Sequence, residues 1–244
     1  MKAHLHEIFS SVQGEGPYIG KRQLFIRFEG CNLSCSYCDT ARRIGNHPCR
    51  VEIEPGTRNF MEFHNPLSVD ETLGIIYQYF AHSFHHSVSF TGGEPLMQVD
   101  FLKSMMPALK TKMDIYLETN GSLPDHLASV IHLVDIISMD IKLPGTSGCN
   151  SLWESHRQFL KIAQQAKVFV KIVTSDLSSI QEFEEAVNLV AGINPAIPLI
   201  IQPMTQGGKS SLSPCRGIKF QEMGMQKLKD VRIIPQAHIM MNQL

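Results

Sequence analysis

A chain of 244 residues with 43% hydrophobic content is long enough to bury a large core, and one α/β domain spanning residues 1–244 is the expectation. With 22 basic and 23 acidic residues, a formal net charge of -1 and no block of like charge, the sequence excludes a nucleic-acid footprint and a polybasic membrane anchor, which leaves a small molecule as the expected partner. The amino-terminal stretch MKAHLHEIFSSVQGEG has no apolar signal core and no run approaches the ~20 apolar residues of a membrane span, so a cytoplasmic protein is expected.

Along the chain, strand-like apolar runs recur with helical patterns between them. The first, 4–9, leads into the glycine-containing loop Ser11-Val12-Gln13-Gly14-Glu15-Gly16, and the second, 23–28, carries Arg27 on an otherwise apolar stretch. A cysteine-rich loop comes next, and then residues 41–66, where Gly45, Pro48, Pro55 and Gly56 mark a long polar insertion. Ser68 with Glu71 is a capping box that starts a helix running to Phe80. Beyond it, strands at 87–90, 114–118, 135–141, 167–173, 197–201 and 231–234 alternate with helices at 99–110, 124–133, 152–166, 179–190 and 219–229. Ser179 with Glu182 forms a second capping box, and residues 204–217, rich in Gly, Ser and Pro, read as a surface loop. Strands joined by crossover helices demand a mostly parallel sheet, and right-handed repeats in this number curl it into a partial βα barrel. Ligands of such sheets gather at the carboxyl ends of the strands.

The decisive feature follows the second strand, where Cys31, Cys35 and Cys38 stand as Cys-x3-Cys-x2-Cys in EGCNLSCSYCDT. Three thiolates so spaced fold around one [4Fe-4S] cubane and leave one iron without a protein ligand, open to a small molecule. Zinc in a structural scaffold is the alternative, but its closed site needs a fourth ligand, and neither a second Cys-x2-Cys nor a His-x3-His follows downstream. Cys49, Cys149 and Cys215 are scattered singles, unlike a secreted disulfide framework, and read as thiols. In Thr91-Gly92-Gly93-Glu94-Pro95, two glycines permit close backbone approach and a carboxylate follows. Alone this is equally a tight conformational turn; beside an open iron it suits the amino group of a chelated S-adenosylmethionine. Arg27 offers a two-pronged grip for a carboxylate, or else a surface ion pair. The other histidines, including His82, His85 and His86, read as solvated or capping groups rather than ligands.

Together these motifs resemble those of radical S-adenosylmethionine (SAM) enzymes, with Cys31, Cys35 and Cys38 as cluster ligands, Tyr37 just before the last of them, and Gly92 to Pro95 as the methionine-binding turn. More narrowly, the Gln13 to Gly16 loop, Arg27, Asp39-Thr40 and Pro235-Gln236-Ala237-His238 resemble the 7-carboxy-7-deazaguanine synthase family. That resemblance implies a reduced cluster that cleaves SAM to a 5′-deoxyadenosyl radical, which takes a hydrogen atom from C6 of 6-carboxy-5,6,7,8-tetrahydropterin. Ring contraction and loss of ammonia then give 7-carboxy-7-deazaguanine, a precursor of queuosine. Cluster and cofactor supply the chemistry, so the polar side chains are positioners rather than catalytic groups.

The resemblance further implies Mg2+ at Thr40 and SAM contacts from Tyr37, Cys38, Asp39, Gly92, Gly93, Glu94, Thr119, Asn120, Ser138, Lys142 and Gln202. Pterin contacts are implied for Val12, Gln13, Gly14, Glu15, Arg27, Thr91 and His238. Read without it, Thr40 is equally a turn cap, Asn120-Gly121 a turn signal and Gln202-Pro203 a strand end. The stretch Ser138-Met139-Asp140-Ile141-Lys142 departs from a Ser-Pro-Lys found in relatives, and the 41–66 insertion has no counterpart in shorter ones. A flavodoxin or ferredoxin as electron donor and a homodimeric assembly complete the expectation. An activase that installs glycyl radicals would share the cluster and the Gly-Gly-Glu-Pro turn, but lack a pterin-facing loop.

Overall fold

The structure is a computed structural model, and it describes residues 1–38, 45, 47–81 and 83–243. Ten strands make one sheet: β1 (Leu5–Val12), β2 (Arg22–Phe28), β3 (Cys49–Glu54), β4 (Asn59–Phe63), β5 (Ser87–Gly92), β6 (Asp114–Thr119), β7 (Ile136–Asp140), β8 (Lys167–Thr174), β9 (Leu199–Pro203) and β10 (Val231–Ile233). In space they run β10-β9-β8-β7-β6-β5-β2-β1-β3-β4. From β10 to β2 every neighbouring pair is parallel. β1 turns back antiparallel on β2, β3 lies parallel to β1, and β4 closes the row antiparallel to β3. The ends, β10 and β4, do not pair with one another, so the sheet is the open, partial βα barrel expected from the repeats.

Crossover helices α1 (Val69–Phe80), α2 (Val99–Lys110), α3 (Pro124–Val130), α4 (Trp153–Ala163), α5 (Ile180–Ile193) and α6 (Pro214–Met225) follow the parallel order. None of the described helices is long and apolar enough to cross a membrane. The Ser68 capping box is made in full: Glu71 N–H donates to the Ser68 hydroxyl at 3.2 Å, and Ser68 N–H donates to the Glu71 carboxylate at 2.7 Å. The second box is half made. Ser179 caps Glu182 N–H, but the Glu182 carboxylate accepts from Gly145 N–H at 3.0 Å, in the first turn of the short helix Pro144–Ser147.

Two segments differ from the sequence expectation. The polar insertion folds in part as the β3-β4 hairpin, which extends the sheet by two strands. Its apolar Cys49 and Val51, which join the helix-facing core, alternate with polar Arg50 and Glu52, the period of two that a strand requires. The last crossover helix begins at Pro214 rather than 219, since proline suits a first helical turn and Ser213 precedes it in extended conformation.

Strand alternation sorts side chains into two worlds. Outward residues such as Val88, Phe90, Leu117, Ile137, Ile172 and Ile201 join Phe101, Phe159, Phe183 and Phe220 of the helices in one continuous apolar core. Inward, Tyr116, Ile136, Phe169 and Ile200 form a second, smaller cluster, with Tyr18 set edge-on against Tyr116 at 5.7 Å. This cluster floors the barrel. Two residues further along the same strands stand Glu118, Ser138, Lys171 and Gln202, and two further again Asn120, Asp140, Val173 and Met204, all of them lining one cavity.

Beside the floor lies Gln23, fully buried, whose side-chain amide donates to Ser87 Oγ at 2.9 Å and whose carbonyl accepts from Gln13 Nε2 at 3.0 Å. Gln23→Leu strips both partners from buried groups and should lower folding free energy by about 1–3 kcal/mol. The check is a urea midpoint that falls while the slope of the transition stays constant.

Candidate active site

A cavity of about 460 Å³ opens at the carboxyl ends of the parallel strands. Its walls are the loop at Val12 to Glu15, the cysteine loop, the Gly92-Gly93 turn, the ends of β6 to β9 and the carboxyl-terminal turn around His238.

The cysteine loop is pinned at both ends. Gly93 N–H donates to Phe28 O at 3.0 Å and Glu94 N–H to Gly30 O at 2.9 Å, which press the β5 turn against the start of the loop. A Cβ on Gly93 would stand 1.7 Å from Gly30 O, and one on Gly92, at φ +107, would stand 2.5 Å from the Phe28 backbone; only glycine fits either place. Further along, Ser36 N–H donates to Ser147 O at 2.8 Å and its hydroxyl to Thr146 O at 3.0 Å. Cys31, Cys35 and Cys38 all line the cavity, and none of the six cysteines is in a disulfide.

Cys31 Sγ accepts from Leu33 N–H at 3.4 Å and from Asn120 Nδ2 at 3.8 Å, the kind of support that iron-bound thiolates receive. Cys149 brings its sulfur to 3.6 Å from Cys35. Burial raises the Cys31 thiol above its ordinary range and pushes Cys35 up to about 12. Among the described residues no three His, Cys, Asp or Glu side chains converge as a metal site. Three soft sulfur donors on one loop that all line the cavity, one of them supported by N–H groups, have the donor chemistry an iron-sulfur cubane takes.

Glu94, expected beside an ammonium group, has its carboxylate fully buried, where it accepts from Leu96 N–H at 3.1 Å, Thr119 Oγ1 at 2.9 Å and Asn120 N–H at 2.8 Å. Glu94 thereby ties the β5 turn to the end of β6. Burial pushes its carboxyl up to about 7 against the pull of these hydrogen bonds. Asn120 Nδ2 reaches Asn32 Oδ1 at 3.0 Å and thereby joins β6 to the cysteine loop. Under it, His156 Nε2 donates to Asn120 O at 3.1 Å. This histidine is buried, not solvated as the sequence suggested, and burial lowers it to about 4, so it is neutral.

Tyr37, Ser138, Lys142 and Gln202 line the cavity as expected. Lys142 donates to Asp140 Oδ2 at 2.8 Å and stands 5.3 Å over the Tyr37 ring. Asp39 and Thr40 lie outside the described residues, as does His82.

Across the cavity, Arg27 pairs through Nε with Glu7 Oε1 at 2.9 Å and lies over the Phe9 ring at 5.5 Å; Phe9 in turn stacks on Phe25 at 4.9 Å. Glu7 is buried and also holds Arg50 at 2.8 Å, so the pair belongs to the cavity wall rather than the surface. Gln13 Nε2 donates to Glu118 Oε1 at 2.9 Å, and Thr91 Oγ1 to Glu118 Oε2 at 2.7 Å. Glu15 accepts from Lys171, from Gln202 at 3.2 Å and from Gln236 at 2.9 Å. Burial alone would raise the Glu15 carboxyl, but the Lys171 ammonium, the hydrogen bonds from Lys171 and Gln236 and the field of His238 bring it down to about 2.

The tail folds back over this side. Ala237 N–H donates to Gly14 O at 2.8 Å, and a Cβ on Gly14 would stand 2.2 Å from His238 Nδ1, so glycine lets the turn seat. Glu118, Asp140, Lys171 and Gln236 were not among the expected contacts. For the first three the signal was available: each is a charged residue on the inward phase of a strand whose other phase is apolar.

Comparison with known proteins matches residues 25–189 to the Radical SAM superfamily. The chain is 47% identical over 245 residues to a 7-carboxy-7-deazaguanine synthase of Geobacter sulfurreducens, covering 99% of this chain and 98% of the relative. It is 33% identical over 258 residues to the synthase of that name from Methanothermobacter thermautotrophicus, covering 98% and 96%. In fold it is similar to the crystal structure of QueE from Escherichia coli, with a TM-score of 0.66 at 20% identity over 98% of this chain and 95% of that one. The cysteine triplet, the glycine turn and the cavity they share thus sit in a chain that belongs to the radical SAM superfamily and, within it, to the 7-carboxy-7-deazaguanine synthase family.

Proposed function

We propose that this cavity holds 6-carboxy-5,6,7,8-tetrahydropterin against SAM and converts it to 7-carboxy-7-deazaguanine with loss of ammonia. One observation carries the reading: a single cavity is lined on one side by Cys31, Cys35, Cys38 and the Gly92-Gly93 turn, and on the other by Gln13, Glu15 and Arg27. Family membership sets aside the zinc scaffold and the glycyl-radical activase. When bound, a [4Fe-4S] cluster and SAM supply the 5′-deoxyadenosyl radical that removes the hydrogen atom from C6.

The chain's own residues orient and enclose. The Arg27 guanidinium, held by Glu7 and backed by Phe9, receives the pterin carboxylate. Glu15 accepts from the N–H donors of the pyrimidine edge, while Val12, Gln13, Gly14, Thr91 and His238 complete the pocket around it. Gly92 and Gly93 let backbone approach the methionine end of SAM, and Thr119, Asn120, Ser138, Lys142, Tyr37 and Gln202 surround the remainder. The carboxyl-terminal turn, docked on Gly14, keeps water from the radical. Mg2+ at Thr40, a SAM contact from Asp39, a flavodoxin or ferredoxin as electron donor, a homodimer and a cytoplasmic setting belong to this reading through the family resemblance. So does a single radical SAM domain over residues 1–244.

Anaerobically reconstituted protein, given the carboxylated pterin, SAM and a reductant, should bind about four irons per chain and form the deazaguanine acid together with 5′-deoxyadenosine. Fully clustered protein that forms no such product would reject the proposal. Arg27→Lys keeps the charge but loses the two-pronged grip, so KM for the pterin should rise by about tenfold or more while SAM affinity is unchanged. Gly93→Ala drives a methyl group into Gly30 O and should weaken SAM binding at least about tenfold and lower iron loading, whereas Gly192→Ala, into open space on α5, should change neither.

A further inference from the structure

Lys171 is a charged side chain deep in the cavity to which the reading above gives no task. It stands on β8 directly above Phe169 of the floor and below Val173, only 8% exposed, an ammonium in the apolar run Phe169-Val170-Lys171-Ile172-Val173. Its Nζ pairs with Glu15 and lies 3.8 Å from Asp140 Oδ2. Asp140 already has Lys142 at 2.8 Å, but among the described residues no other lysine or arginine pairs with Glu15. Gln202 and Gln236 converge on the other carboxylate oxygen, so Lys171 alone secures the oxygen it faces.

We propose that Lys171 is a positioning residue that fixes Glu15 as an oriented carboxylate, ready to accept the N–H donors of the pterin's pyrimidine ring. The proposal rests on the reading of Glu15 as a pterin contact. An unpaired carboxylic acid buried at this depth takes up a proton, and a protonated Glu15 would turn an O–H toward the N–H groups it must accept. The groups that bear on the Glu15–Lys171 pair come from every surrounding element: on Glu15, Lys171 of β8, Gln202 of β9, Tyr116 of β6, and Gln236 and His238 of the carboxyl-terminal turn; on Lys171, Glu118 of β6 and Asp140 of β7. Of these, Lys171 is the largest influence holding Glu15 charged against burial. Without it, Glu118 and Asp140 would leave the pocket net negative, a second reason for Glu15 to bind a proton.

The experiment measures anaerobic affinity for 6-carboxy-5,6,7,8-tetrahydropterin by calorimetry on cluster-loaded enzyme between about pH 6 and 9, with each variant expressed as a ratio to wild type so that titration of the pterin cancels. Lys171→Met should weaken binding at least about tenfold at the acid end, and the deficit should shrink as pH rises and Glu15 gives up its raised proton. Lys171→Arg, which keeps the charge, should stay within about threefold of wild type with no such slope. Introduced into Glu15→Gln, the methionine substitution should cost less than about twofold, because a residue that acts only through Glu15 has nothing left to act on. The double variant removes both members of the Lys171–Glu15 ion pair together, so it decides the matter even if Lys171→Met alone fails to fold. A pH-independent deficit, or one as large in the Glu15→Gln background as in wild type, would overturn the role of Lys171. Unchanged pterin affinity in Glu15→Gln itself would instead overturn the reading of Glu15, and the proposal with it.

Discussion

The contact on which the active end depends is the one between two pieces of backbone, the β5 turn and the start of the cysteine loop. Gly93 and Glu94 donate to Phe28 and Gly30, and the approach is so close that neither glycine of the turn tolerates a side chain. Two backbone hydrogen bonds are a modest energy, about 0.5–1.5 kcal/mol each in net terms. Their effect is geometric. They hold the loop bearing Cys31, Cys35 and Cys38 beside the Gly92-Gly93 turn, and buried Glu94 extends the same clamp to β6 through Thr119 and Asn120. A cluster and the cofactor that binds it need a separation fixed to a fraction of an ångström, and main-chain contacts at this spacing supply it better than flexible side chains.

Beneath that clamp the barrel is graded in polarity by strand alternation alone. Tyr116, Ile136, Phe169 and Ile200 close the bottom as an apolar layer, and one pleat higher the same four strands present Glu118, Ser138, Lys171 and Gln202. Nothing but a two-residue step along each strand separates dry floor from charged ring, so a one-residue slip in register would send the ring into the helix-facing core. Charges survive at this depth because they are matched: Lys142 with Asp140, Lys171 with Glu15, Arg27 with Glu7. Removing one member of such a pair leaves the other uncompensated, which ties the integrity of the pocket to its electrostatic balance.

The legibility of the sequence followed the same physics. Strands buried on both faces of a parallel sheet announce themselves as apolar runs, and each strand from β5 to β10 stands within two residues of where its run was read, β9 being displaced from 197–201 to Leu199–Pro203. Arg27 was visible because a guanidinium on an apolar strand demands an explanation. Lys171 sends the identical signal from Phe169-Val170-Lys171-Ile172-Val173, but no family motif drew attention to it, and a pairing with Glu15, 156 positions away in sequence, is set by tertiary structure. For Glu94, spacing shows that a carboxylate follows the glycines but not which N–H groups it accepts from. The β3-β4 hairpin was hidden by its flanks, where Gly45, Pro48 and Pro55 made the whole of 41–66 read as loop although Cys49-Arg50-Val51-Glu52-Ile53 alternates as a strand should.

That hairpin has a consequence for closure of the site. At its tip Arg58 adopts the left-handed conformation, at φ 59, which is uncommon for a residue with a side chain. Buried Glu52 stabilises it by accepting the Arg58 N–H at 2.9 Å, and the turn so formed sends the guanidinium to Asn242 O at 3.0 Å. Ser11 reaches Gln243 at 3.1 Å from the other side, and the short helix Ala237–Met240 between them carries His238 down against Gly14. The carboxyl-terminal turn is therefore held from two directions, by β1 and by the insertion. Its own apolar contacts are few, since Met240 and Met241 are exposed, so hydrogen bonds rather than burial decide whether it stays closed. A turn secured in this way opens locally at small energetic cost.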